Sequence, residues 1–551
     1  MEKWYWGIEL CPMASLKIDR KQNDYYLTLV ESFRDPETGK PKSRQLVNLG
    51  KVDEKTMKSF RLMGQKLLRL CGESLEQIQD RGVKELGRYN YGYVKVVRGM
   101  LKGFGLDAFL NKVTKRNKLT YNLLDYVVLM LSERLHEPRS KLSNYNFQGE
   151  YLGLGKLELH HFYRSLEYLA HSKEAIQQQI YQSSRDLFNQ KLDVVFYDVT
   201  TFYFDSEIEK EDALRQKGFS KDGKIGNTQV VMGLLIDRDK RPICYQLYRG
   251  DTWEGKTFTD ALEKLKKQYQ IDKVIVVADR GMMSRSNLDS VIENGYQFIV
   301  GERLRALPES VQNRLIDLKK YELEWVMNED KNLVVRYCQT QYEGRTIIGT
   351  WSKVRADKDK HEREERIARG EKLLKSQTDI SKKARLYYLK PKENKKGEWE
   401  PDEDKKKKAE RFDGFLAIAT NANELSTAQI LDQYKHLFQV EHSFRSFKTY
   451  LETRPMFHWN DTRIEGHICL CYIAYSILTE IQIKLSHQKT PLSENKIRRA
   501  LDHMQLSEIQ QGNEHFYIRS SEKEEVKILT EGLKMKPIPE MIHKSQIFSY
   551  I

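Results

Sequence analysis

The chain has 551 residues, 39% hydrophobic and 31% charged. That is long enough to bury a full core without disulfide or metal staples, and its apolar runs are too short to cross a bilayer. Its 93 Lys and Arg against 79 Asp and Glu leave a net charge of +14, which points to a polyanionic partner, most often nucleic acid. The 6 cysteines (Cys11, Cys71, Cys244, Cys338, Cys469 and Cys471) include no CxxC pair and no zinc-finger spacing, so a reduced compartment without structural zinc is expected. The opening MEKWYWGIELCPM lacks the basic-then-apolar order of a signal peptide, so the chain is expected to be cytoplasmic, with no membrane partner.

At roughly 100–200 residues per domain, three to five modules are expected. Residues 24–50 contain two β-rich runs around DPETGKPK, the signature of a hairpin. Helical periodicity follows to about residue 190, with YNLLDYVVLMLSERL at 121–135 and one helix over 163–189. The boundaries expected here are 1–80 for a β-hairpin region and 81–190 for a helical, DNA-binding region.

The period changes at 191. KLDVVFYDVTTFYFDS, the two runs within 227–250, DKVIVVADRGM and YQFIVGERL read as strands, with helices over 256–269 and 284–295. This is an α/β pattern with a mixed sheet flanked by helices, expected over 191–304 and again over 412–485. Between them, 305–411 alternates strand-like pieces with charged stretches and reads as a β-rich insertion. FDGFLAIATN at 412–421 returns to a core strand. A single long helix is expected over 424–452 and a buried apolar helix over 463–485, leaving 486–551 as a C-terminal region.

Three acids stand out by their surroundings. Asp198 lies mid-strand, where alternation puts Val194, Phe196, Asp198, Thr200 and Phe202 on one face. A carboxylate there is costly unless it is paired, hydrogen-bonded or metal-bound. Asp279 ends the apolar run VIVVAD, at the strand terminus where α/β sheets gather ligands. Its ordinary reading is a turn cap or a pair with Arg280. In the 424–452 helix, Tyr434, Glu441 and Lys448 recur at seven residues, nearly one line on a helix. The ordinary reading of Glu441 is an i,i+4 pair with Arg445 on a solvated face.

Together these residues resemble the transposases of bacterial insertion sequences. The similarity is to the group with a ribonuclease H-like DDE core and a Tyr-Arg-Glu-Lys helix signature, including its branch numbered sixteen-thirty-four. YDVTTFYF carries Asp198, VADRGM carries Asp279, and YKHLFQVEHSFRSFK carries Tyr434, Glu441 and Lys448 at the matching spacing. Leu437 stands where the signature arginine is expected. LSERLHEPRSKL at 131–142 and the hairpin at 24–50 also look like that branch.

The resemblance implies a ribonuclease H-like fold with Asp198, Asp279 and Glu441 as catalytic residues and metal ligands. Asp198 would bridge two Mg²⁺ ions (Mn²⁺ can substitute), with Asp279 and Glu441 holding one each. Such an ion pair clamps the attacking and leaving oxygens of a phosphodiester. Tyr434, Arg445, Lys448 and Arg280 would contact DNA. Trp351 would stack on an unpaired base, while Trp399 reads as packing. The implied partners are double-stranded DNA, both terminal inverted repeats and target, and a second copy of the chain in a homodimeric synaptic complex. A metal-dependent nuclease on the same fold and a domesticated, non-catalytic DNA-binding protein are the competing readings.

Overall fold

The structure is a computed structural model that describes residues 14–21, 24–34, 41–70, 83–183, 194–218, 226–269, 274–279, 284–321, 323–326, 334–375, 387–392, 398–486, 488 and 490–551. The chain divides into two compact units. One comprises 1–87 with 508–517, and the other 88–507 with 518–551.

In the first unit, strands Ala14–Lys21, Asp24–Arg34 and Pro41–Lys51 form an antiparallel sheet in chain order. The hairpin expected over 24–50 is there, with a third strand ahead of it. Helix Glu54–Leu70 follows. Residues 508–517 belong to this unit and form the turn and flanking halves of strands Gln505–Gln511 and Glu514–Arg519.

The second unit opens with helices Gly92–Gly103, Leu106–Arg116, Leu123–His136, Lys141–Phe147, Leu159–His171 and Lys173–Ser183. The single helix expected over 163–189 is thus two helices, joined at Ser172, whose amide donates to Tyr168 O and Leu169 O. Residues 184–193 lie outside the described residues.

A ten-stranded sheet forms the core of this unit. Its main strands are β1 (Val194–Tyr203), β2 (Thr228–Ile236), β3 (Pro242–Arg249), β4 (Ile275–Ala278), β5 (Gln297–Glu302), β6 (Leu323–Val326), β7 (Val334–Tyr342), β8 (Arg345–Trp351) and β9 (Phe415–Thr420). The tenth is the two-residue strand Gln216–Lys217, which also pairs with β2. The first three strands run antiparallel as β3-β2-β1. Then β4 lies parallel to β1, and β5 parallel to β4. From β5 the sheet continues antiparallel through β9, β8, β7 and β6. The composition explains the centre: β4 is IVVA and β2 is TQVVMGLLI, both wholly buried, as strands covered on both faces must be.

One face is covered by α1 (Glu254–Tyr269) and α2 (Arg285–Glu293). Val195, Tyr197, Val199, Val276, Ala278, Phe298, Val300, Ile347 and Ala419 share a core cluster with Phe258 and Leu262 of α1 and Leu288 and Val291 of α2. Ser284 caps α2, its Oγ accepting from Asn287 N at 3.2 Å, and Gly295 takes the left-handed φ of 80° that ends it.

The 305–411 stretch departs from expectation. Strands β6 to β8 extend the sheet, but Lys353–Lys375 is a 23-residue helix, α3, and Glu403–Glu410 is another. Helix α3 has no apolar stripe to betray it. It is a solvated helix laced by i,i+4 pairs such as Lys353–Asp357 and Arg369–Glu365.

The long helix expected over 424–452 is also broken. It comprises α4 (Thr427–Lys435), α5 (Phe438–Arg445) and a π-helical turn over Ser446–Tyr450. Helix α6 (Asp461–Ser486) is the buried apolar helix expected. Among the described residues it alone is long and apolar enough to cross a membrane, and 78% of that apolar window is buried inside the protein.

Candidate active site

The register of the sheet fixes where the acids stand. Tyr197, Ala278, Val300, Ala419 and Ile347 form one row across β1, β4, β5, β9 and β8. Asp198 and Asp279 are each the next residue after this row, Asp198 within β1 and Asp279 just past the end of β4, on strands whose usual spacing is about 4.8 Å. The same step on β5 is Gly301, paired with Ile418. A glycine next to Asp279 puts no side chain there. On the other side Asp198 pairs with Leu234 of β2.

Alternation turns Asp198 away from the Tyr197 row and its helices, toward the opposite face. Asp198 is half-buried, and one of its oxygens accepts from Val199 N at 2.7 Å. Asp279 is exposed and has no hydrogen bond or ion pair among the described residues. Arg280, its expected partner or DNA contact, lies outside the described residues.

Helix α5 packs against β1 and β2. Phe447 in the following turn faces Phe202, with ring centroids 6.5 Å apart, and Tyr475 of α6 lies against Phe447 at 4.9 Å. Tyr475 Oη also donates to Ser443 Oγ at 2.6 Å. Thus Glu441 is carried over the strand that bears Asp198. Its carboxylate is exposed and unpaired among the described residues, and the Glu441–Arg445 pair is not formed.

The helix break alters the seven-residue line. Leu437 N donates to Tyr434 O and Gln439 N to His436 O, tightened i,i+3 bonds between α4 and α5. Half-buried Tyr434 therefore sits on α4, exposed Arg445 ends α5, and half-buried Lys448 lies in the π-turn. Trp351 ends β8 opposite Phe415 and packs on the core cluster with its indole against Gly414. Trp399 joins Leu389, Leu373, Leu374 and Tyr387 in a small satellite core.

The far end of the α5 segment is anchored from two sides. Arg134 Nη1 donates to Leu451 O at 3.0 Å, and Arg498 Nη2 to Tyr450 O at 2.9 Å, with the Arg498 guanidinium 4.1 Å from the Tyr450 ring. Cations at these last carbonyls satisfy acceptors the helix cannot. Arg134 belongs to a buried polar group. Asn144 donates to fully buried Glu133, and Lys141 Nζ donates to Asn144 Oδ1 at 2.8 Å. Burial pushes the Glu133 carboxyl up, and pushes the Lys141 ammonium down to about 7. The phrase LSERLHEPRSKL signalled this region, but nothing in it signalled that its charges are interior.

Asp198 and Asp279, each one residue past the same row, supply hard oxygen donors of the kind that divalent cations take. Among the described residues, no group of three or more His, Cys, Asp or Glu side chains is close enough to hold one ion. Glu441 is therefore not drawn into a three-carboxylate cluster with them. Reading the sequence alone also passed over Phe457 and Trp459, which are 70% and 63% exposed. Their signal was two aromatics, two residues apart, just before a buried helix.

Comparison with known families gives two matches. The transposase DDE domain matches residues 189–477, and the N-terminal domain of the IS1634 family transposases matches residues 16–81. No curated protein sequence matches the chain.

Proposed function

Because the chain belongs to the transposases with a DDE domain, we propose that it cuts DNA at the ends of an insertion sequence and joins them to target DNA at the Asp198–Asp279 row. The observation that supports this reading is the parallel pairing of Tyr197 with Ala278, the residues that immediately precede Asp198 and Asp279 on neighbouring strands. The strand order β3-β2-β1-β4-β5, with β4 and β5 parallel to β1, supports a ribonuclease H-like core.

Transposition by this family depends on divalent metal, and Mg²⁺, with Mn²⁺ able to substitute, suits an all-carboxylate site. Asp198 and Asp279 would hold the ion, and Glu441 would supply the third carboxylate from α5. When bound, the metal lowers the pKa of an attacking hydroxyl and stabilises charge on the leaving oxygen. The chain's own residues do the rest. Asp198 accepts a hydrogen bond from the Val199 amide N–H, while Tyr434, Arg445 and Lys448 would hold the DNA backbone beside Glu441. Hydrolysis at the transposon end leaves a 3′-OH. That hydroxyl then attacks a target phosphodiester, releasing the target's own 3′ oxygen, so one phosphodiester replaces another and no nucleotide hydrolysis is needed.

Residues 1–150 would recognise the terminal inverted repeats, and a homodimer would hold two ends together. The test uses the full chain, DNA carrying both ends of the flanking element, and Mg²⁺ or Mn²⁺. End cleavage and joining that chelation abolishes, and that is lost in Asp198→Ala, Asp279→Ala and Glu441→Gln, is the expected result. Cleavage without joining would make the chain a nuclease. Binding without cleavage, indifferent to all three substitutions, would sink the catalytic reading.

A further inference from the structure

Between the π-turn and α6, the chain runs past the end of β1. Met456 N donates to Tyr203 O at 3.2 Å, and Met456 forms a parallel bridge with Phe204. Burial then alternates along this strip. Met456 is 3% exposed, Phe457 70% and Trp459 63%, while half-buried His458 between them lies 5.2 Å from the buried His467 ring. Alternation in an extended strip puts Phe457 and Trp459 on its solvent side. A single exposed aromatic is ordinary, but two on one side of a strip that has a buried side available are not.

Trp459 is also held in place. The Arg215 guanidinium lies 4.1 Å from its ring and 4.9 Å from the buried Phe204 ring. Arg215 is 5% exposed. It donates to Ser206 Oγ at 3.0 Å and Ile208 O at 2.8 Å. The indole thus rests on a fixed cation while most of its surface meets solvent. Positions two apart on such a strip are separated by about 7 Å, roughly twice the 3.4 Å rise between stacked bases.

We propose that Phe457 and Trp459 form a stacking platform for unpaired bases of a DNA strand that passes from the Asp198–Asp279 row. The proposal rests on the transposase reading of that row. Phe204 lies six residues along β1 from Asp198, about 20 Å, or roughly six nucleotides at duplex spacing. Arg454, its guanidinium 5.4 Å from the Tyr203 ring, adds positive charge along the same stretch. With a net charge of +14 on the chain, this favours an anionic polymer with aromatic faces over an apolar protein partner. Stacking of bases on aromatic side chains backed by arginine tolerates any base sequence.

The experiment titrates the full chain into fluorescein-labelled oligo(dT) of roughly 20 nucleotides, and into a duplex of equal length, following anisotropy at several salt concentrations. Phe457→Ala and Trp459→Ala should each weaken oligo(dT) binding about tenfold and duplex binding less than about twofold. The slope against log salt should not change, because lost stacking releases no counterion. Trp459→Phe should retain most of the affinity, and an unchanged melting temperature shows that each variant is folded. Oligo(dT) affinity equal to wild type in both alanine variants, or equal loss on single strand and duplex, would overturn the platform. If the wild type cleaves and joins transposon ends while these variants bind oligo(dT) normally, only the platform falls. A wild type that neither cuts nor binds either DNA removes the transposase chemistry as well.

Discussion

Asp198 is half-buried and accepts from the Val199 amide, while Asp279 is exposed and has no partner among the described residues; both follow the same sheet row, with a glycine beside them. Glu133 is fully buried and accepts from Asn144, which in turn accepts from Lys141, with Arg134 next in sequence. The same chemical group meets solvent in one place and is enclosed in the other. A solvent-facing carboxylate contributes little to stability and can take a cation. An enclosed one must be neutralised or hydrogen-bonded, so it fixes the elements around it. The enclosed group also reaches the open one, because Arg134 holds the carbonyls at the end of the segment that carries Glu441.

The largest expected effect lies at the open row. Asp198→Ala or Asp279→Ala should lower end cleavage about 10³-fold or more, equivalent to about 4 kcal/mol of transition-state stabilisation. The urea midpoint should stay level or rise. A parallel fall in stability would mean that these aspartates are structural after all.

Next comes the enclosed group. Arg134→Met should destabilise the fold by about 1–3 kcal/mol, because it removes the donor to the Leu451 and Glu452 carbonyls at the end of the α5 segment. Denaturant unfolding checks this, and a loss below about 0.5 kcal/mol would show that the network is dispensable.

The enclosed group should also shape stability against pH. Burial, then the Lys141, Arg134 and Arg463 charges, push His458 down to about 3, and His467 is driven well below its ordinary value for similar reasons. The unfolded chain binds protons at these histidines near pH 6.5 and the folded chain refuses them, so stability should fall as pH drops from about 6.5 toward 3. Lys141, lowered to about 7 by burial and then Arg134, adds a second decline, from about pH 10.4 down to 7, where only the unfolded chain is protonated. Glu133, raised by burial, works in the opposite sense above its ordinary range. Urea midpoints at pH 5, 7 and 9 should therefore rise with pH. Lys141→Met should flatten the upper limb and His458→Asn the lower, and a flat wild-type profile would contradict both assignments.

The smallest effect is expected at Glu441, which is exposed and unpaired among the described residues. Glu441→Gln should move stability by no more than about 0.5 kcal/mol while still reducing cleavage. A larger stability change would show that α5 uses this carboxylate structurally.

Much of the core could be read from the residues, because β1, β2, β4 and β5 are dense in β-branched and aromatic side chains and bounded by clear turns. The neighbouring of the strands that lead to Asp198 and Asp279 could not. Register between distant strands depends on tertiary packing, and periodicity carries no trace of it. Helix α3 was missed because charge pairs, not an apolar stripe, sustain it. The break between α4 and α5 was missed because Lys435, His436 and Leu437 include neither proline nor glycine. The buried charges of the 131–142 phrase look like surface residues in any linear reading. Burial of Lys141 is decided by α6, more than 300 residues later, whose Cys471 and whose neighbour His458 lie within electrostatic reach.

One further consequence follows from the first unit, which takes residues 508–517 as well as 1–87. The 420 residues between those segments must be synthesised before the unit can close. At roughly 5–20 residues per second, that interval is about 20–80 s. Throughout it, the nascent chain carries a three-stranded sheet with Leu16 and Ile18 exposed and without its last strand-turn segment. A message truncated before codon 508 would therefore yield a chain whose amino-terminal unit is unfinished, even though residues 1–87 are all present.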